Sequence, residues 1–76
     1  MLEKQIIINT IKEVIETENV EDSMNLFDYG LDSLGVLKLV TLLEDRLGIE
    51  IDDEDLTVEN MSSVESIIDM VKKYEK

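Results

Sequence analysis

Apolar residues return every three or four positions in three separate stretches of this chain, and that spacing restricts it to a helical bundle. Projected at about 100° per residue, Ile7, Ile8, Ile11, Val14 and Ile15 share one side of the first stretch, with Lys4, Lys12, Glu13 and Glu16 mostly elsewhere. The β-branched run Ile6-Ile7-Ile8 would also suit a strand, but the helical spacing continues to Ile15 and predicts a helix from about Leu2 to Thr17. A second helix is expected from Ser33 to Leu47, burying Val36, Leu39, Val40, Leu43 and Leu47 and stopping at Gly48. The last begins near Ser62 or Ser63 and turns Val64, Ile67, Ile68 and Val71 inward. Ser62 and Glu65 form its capping box, and Lys72, Lys73 and Lys76 suit the negative carboxyl end.

Between the first two helices the periodicity fails from Glu18 to Asp32, and Asn, Asp and Ser become frequent. Long ordered loops in small domains tend to be functional, and Leu26 and Phe27 are expected to pin this one to the core. Further on, Ile49 and Ile51 alternate with acidic residues but have no partner strand, so they read as hydrophobic pins in a connector. A short helix carrying Leu56 is expected near Asp53 to Glu59. The fold class is therefore all-α: three main helices and one short helix around one core, a single domain over 1–76.

A chain of 76 residues lies near the lower limit for a core that needs no staple. The absence of cysteine excludes a disulfide or a thiolate metal site, and the absence of histidine removes the usual general base. Nineteen acidic against seven basic residues, a net charge of −12, oppose nucleic-acid binding and favour partners with basic surfaces. No apolar run reaches membrane-spanning length and no basic-then-apolar leader opens the chain, so a cytoplasmic monomer away from membranes is expected. Asp52-Asp53-Glu54-Asp55 and Asp28…Asp32 raise calcium binding, but neither has the ligand spacing of an EF-hand, so no metal site is expected.

The chemistry concentrates at Gly30-Leu31-Asp32-Ser33-Leu34, where a turn delivers a serine to a helix start. Structurally, Ser33 would be an N-cap, a role for which Asp32 competes. On the helix that follows, Leu34, Leu37 and Thr41 lie opposite the buried stripe, with Lys38 and Asp45 beside them. Those leucines either meet a neighbouring helix or form a docking face. A phosphate on Ser33 would meet unpaired N–H groups and the positive end of the helix dipole. The residues alone leave two readings open: a serine placed to bear a phosphate-linked group, or an acidic helical interaction module without one.

Phe27-Asp28-Tyr29 leading into Gly30-Leu31-Asp32-Ser33-Leu34 resembles the attachment turn of acyl and peptidyl carrier proteins, and the length, acidity and helix order resemble theirs. The resemblance implies a 4'-phosphopantetheine arm, taken from coenzyme A, on Ser33, with Asp32 assisting recognition by the transferase that installs it. It implies a carrier and not an enzyme, shuttling acyl, polyketide or aminoacyl thioesters in fatty-acid, polyketide or related biosynthesis. Its partners would be a phosphopantetheinyl transferase and acyl- or aminoacyl-loading and processing enzymes. Leu34, Leu37, Lys38, Thr41, Glu44, Asp45 and Ile51 make the expected partner-facing set. Fatty-acid carriers usually have acidic residues two and five positions after the serine, where this chain has Gly35 and Lys38. Asp52 also replaces the usual proline after Ile51. These departures favour a specialised pathway over housekeeping fatty-acid synthesis.

Overall fold

The computed structural model describes residues 2–74; Lys76, expected near the last helix end, lies outside them. Helix α1 spans Leu2–Ile15, α2 Ser33–Leu47, α3 Val58–Met61 and α4 Val64–Lys72, and no strand forms among the described residues. Short 3-10 turns cover Leu26–Tyr29 and Asp53–Asp55. Helix α1 lies along α2, and α4 packs against both α1 and α3.

The three long stripes close on one another. Ile7, Ile11 and Ile15 of α1 meet Leu39, Val40 and Leu43 of α2 and Val64, Ile67, Met70 and Val71 of α4 in one cluster. Ile8, Val14, Val36, Leu47 and Ile68 pack at its margin, half-buried. Helix α4 thus turns Met70 inward ahead of Ile68, which the apolar pattern ranked equally with its neighbours. The loop contributes Leu26 and Leu31, both buried, with Phe27 against the core. Leu31 was not legible as core, because it stands outside every helical period.

Several boundaries shift for local reasons. Helix α1 stops at Ile15 because Glu16 takes a left-handed conformation at φ 57°, two residues before the expected end at Thr17. The expected short helix near Asp53 to Glu59 divides into the Asp53–Asp55 turn and α3, because Thr57 adopts an extended backbone and caps a new helix by accepting from Asn60 N–H at 3.1 Å. The capping box of α4 sits one residue later than expected. Ser63 accepts from Ser66 N–H and Ser66 Oγ accepts from Ser63 N–H, each at 3.1 Å, whereas Ser62 ends α3 with its hydroxyl on Glu59 O.

Two polar clasps join the elements. Arg46 on α2 forks onto Glu13 of α1 at 2.6 and 3.1 Å, and also donates to the buried Thr10 hydroxyl at 2.9 Å. Lys73 reaches Asp55 at 2.7 Å, and the Tyr74 hydroxyl donates to the same carboxylate. Hydrogen bonds from Arg46 hold the Glu13 carboxyl below its ordinary range, and those from Lys73 and then Tyr74 do the same for Asp55. A depressed carboxyl contributes stability above its unfolded pKa and loses it as pH falls through the folded value. The remaining carboxylates repel one another across a chain of net charge −12. Acidification below about pH 4 should therefore lower the melting temperature as the clasps protonate. Thermal melts above and below that pH, with and without added salt, check the sign; salt should raise the neutral-pH value by screening.

Candidate functional site

Everything upstream of α2 delivers Ser33 to its first turn. Asn25 caps the Leu26–Tyr29 turn by accepting from Phe27 N–H at 3.0 Å. Leu26 N–H donates to Ser62 O at 2.7 Å, tying the loop to the α3–α4 junction. Gly30 then turns the chain at φ 112°, a left-handed conformation that favours glycine, and Leu31 drops into the core.

Asp32, not Ser33, is the N-cap. Its Oδ1 accepts from Gly35 N–H at 2.7 Å, and its carbonyl accepts from Val36 N–H at 2.8 Å. Ser33 is thereby released: it is the first residue of α2, exposed, and its Oγ has no hydrogen-bond partner among the described residues. With Gly35 N–H occupied by the cap, the first-turn N–H groups of Ser33 and Leu34 remain to receive an anion.

Beside Ser33 opens an apolar groove of about 360 Å³ lined by Phe27, Val36, Leu37, Leu56, Thr57, Val58 and Met61. Leu34 is 77% exposed and Leu37 58%, so neither is covered by another helix. Lys38, Thr41 and Asp45 are exposed along the same helix. Two large apolar residues that sequence pattern missed join the exposed set, Val58 at 70% and Tyr29 at 55%. Both lie in elements too short for a periodicity to single out an outward face.

Two expectations need correction, and Gly35 shows a constraint that spacing does not. Ile51, placed in the partner-facing set, is 7% exposed and belongs to the core, so it acts as the hydrophobic pin of the connector and not as a docking residue. Glu44 is half-buried and accepts from Ile51 N–H at 2.8 Å, so its carboxylate braces the connector. Gly35 is not an open surface position where an acidic residue has simply been lost. A Cβ there would stand 3.1 Å from Leu31 Cδ1 and 3.2 Å from the capping Asp32 oxygen, so a carboxylate would crowd and repel the cap.

A phosphopantetheine attachment site model matches residues 5–71, nearly the whole chain. An acyl carrier protein of Buchnera aphidicola subsp. Baizongia pistaciae is 39% identical over 61 residues, covering 80% of this chain and 76% of that protein. This chain belongs to the acyl carrier protein family. A non-reducing polyketide synthase of Acremonium egyptiacum is 32% identical over 50 residues, which make up 66% of this carrier but only 2% of the synthase. Among solved structures, a glycine:[carrier protein] ligase of Bradyrhizobium japonicum complexed with its cognate carrier protein and a glycyl-adenylate analogue contains a chain that superposes with a TM-score of 0.86. That match is 25% identical and covers 96% of this chain and 99% of the other. The same ligase complexed with glycylated carrier protein gives a TM-score of 0.82.

Family membership assigns this carrier a 4'-phosphopantetheine group and a non-catalytic role as bearer of thioesters between partner enzymes, which sets aside the interaction module without a prosthetic group. The residues fit such a group: an unpartnered exposed hydroxyl, free first-turn N–H donors and an adjoining apolar groove. When bound, the group supplies a thiol, which this cysteine-free chain lacks. No helix among the described residues is long and apolar enough to cross a membrane, and none of their carboxylates converge in a group of three that could hold a metal.

The cap and any recognition role of Asp32 are separable. Asp32→Ala should cost about 1 kcal/mol and lower the melting temperature by about 4–8 °C. Asp32→Asn keeps a capping oxygen and should melt near wild type. Calorimetry of the two variants, with transfer rates measured alongside, distinguishes loss of the cap from loss of charge.

Proposed function

We propose that Ser33 is the attachment residue and that this carrier presents an arm-bound acyl or aminoacyl group to enzymes docking on Leu34, Leu37, Lys38, Thr41, Asp45 and Val58. One observation carries the reading. The capping of α2 by Asp32 leaves the Ser33 hydroxyl exposed, unpartnered and beside both an apolar groove and exposed leucines. The chain has no histidine to activate Ser33, and the Asp32 carboxylate is engaged as the cap, so in this reading a phosphopantetheinyl transferase supplies that chemistry. In this reading the chain works as a cytoplasmic monomer and a single carrier domain over 1–76.

Incubation with coenzyme A, magnesium and a broad-specificity transferase should add one phosphopantetheine mass, and peptide mapping should place it on Ser33. Addition at another serine overturns the assignment.

Aminoacyl loading by an ATP-dependent ligase is supported by the close superposition on a chain from the glycine ligase–carrier complexes. A specialised pathway is supported by the exposed Lys38, which opposes the basic docking patches that suit acidic fatty-acid carriers. Lys38→Glu alone, without change at Gly35, should raise kcat/KM with fatty-acid synthase enzymes several-fold, mainly through KM, at unchanged melting temperature. Equal kinetics for wild type and variant would remove the specialised reading's main support.

A further inference from the structure

Helix α3 is a single turn of four residues, too short to hold its own position, yet it forms the outer wall of the groove beside Ser33. Met61 anchors its carboxyl end at 1% exposure. Its amino end is held less firmly: Leu56 packs half-buried at the core margin and Val58 is mostly exposed. The polar hold on that end is Asp55. Its side chain accepts from Lys73 Nζ at 2.7 Å and from the Tyr74 hydroxyl, which in turn accepts from Asp52 N–H at 3.1 Å. Its carbonyl accepts from Asn60 Nδ2 at 2.8 Å, passing the anchorage on to α3.

Resting on the reading that Ser33 bears the arm, we propose that the Asp55–Lys73–Tyr74 clasp positions the α3 wall and thereby decides how well the groove covers an apolar cargo. The three residues that directly follow Asp55, namely Leu56, Thr57 and Val58, all line the groove. Asp52, Asp53, Glu54 and Glu59 crowd the same segment with like charge. Without the clasp their mutual repulsion spreads the connector, Met61 becomes the pivot, and the groove opens at the Leu56–Val58 end. Asp55 is thus a positioning residue, acting through the wall and not on the arm.

The test uses protein loaded at Ser33 from acetyl- or octanoyl-coenzyme A, with hydroxylamine deacylation followed by intact mass. Asp55→Ala should speed octanoyl loss about tenfold, leave acetyl loss within about twofold, and leave amide exchange at Leu39 and Leu43 unchanged. Asp55→Glu, which keeps the carboxylate, should restore most of the octanoyl protection. Equal octanoyl rates in wild type and Asp55→Ala overturn the proposal, as does a parallel rise for both cargoes with faster core exchange. Failure to load at Ser33 defeats the attachment reading instead. The clasp is then tested on the unmodified chain, where Asp55→Ala should speed amide exchange at Asn60 and Met61 about tenfold, and unchanged exchange overturns it.

Discussion

Ser33→Ala should gain no phosphopantetheine under conditions that convert wild type completely, and should melt within about one degree of it. Both halves of that outcome follow from the first turn of α2. In the attachment reading the Ser33 hydroxyl forms the phosphodiester, and the change deletes it. The helix start survives because Asp32 holds the cap through Gly35 N–H, and because alanine is a better helix former than serine. Ser62 and Ser63 are engaged at the α3–α4 junction, as is Ser66 in the α4 capping box. Ser23 lies in the loop without an aspartate before it or a leucine after it. Intact mass and a thermal melt on the same sample check both halves. Residual modification ends the assignment of Ser33, and a large loss of stability would return the serine to a capping role.

The second large effect is structural. Leu26→Ala should destabilise the fold by about 3 kcal/mol and lower its melting temperature by more than about 10 °C. Leu26 is fully buried, and its backbone joins two parts of the chain: its N–H donates to Ser62 O, and its carbonyl accepts from Leu31 N–H at 3.1 Å. Truncation leaves a cavity beneath the turn that delivers Ser33, so transferase KM should rise along with the loss of stability. Chemical denaturation and transfer kinetics measure the two effects. A cost below about 1 kcal/mol would mean that the loop collapses into the space, and that Leu26 does not support the site.

Helix α2 shows how far the residues alone reach. Its limits, Ser33 and Leu47, were legible because chemical punctuation coincides with apolar period: Asp-Ser at the entry, five inward residues, then Gly48 at φ 68° closing the end. The position of Leu34 and Leu37 opposite the stripe was legible for the same reason, whereas only the packed structure shows that no other helix covers them. Even within this clear region, the choice between Asp32 and Ser33 as cap stayed open. Both side chains can accept a first-turn N–H, and only the backbone conformation of Asp32 selects one.

Local spacing carried less information where elements are short. Leu31 and Met61 are buried, but each lies in a loop or single turn where no repeat marks an inward direction. The Ser62–Glu65 and Ser63–Ser66 pairings have the same spacing, and the one-residue choice between them was made by how α3 ends.

The sequence by itself determined the helical class, the limits of α2 and the resemblance of the Ser33 turn to an attachment motif, because helix periods, turn residues and short motifs are local properties of the chain. Only the tertiary structure decided which side of that serine holds the groove, that Gly35 is pressed between Leu31 and the cap, and that Arg46 and Asp55 clasp distant helices. Those features join residues as far as 36 positions apart, and their energies depend on distance and burial in space, which no spacing along the chain encodes.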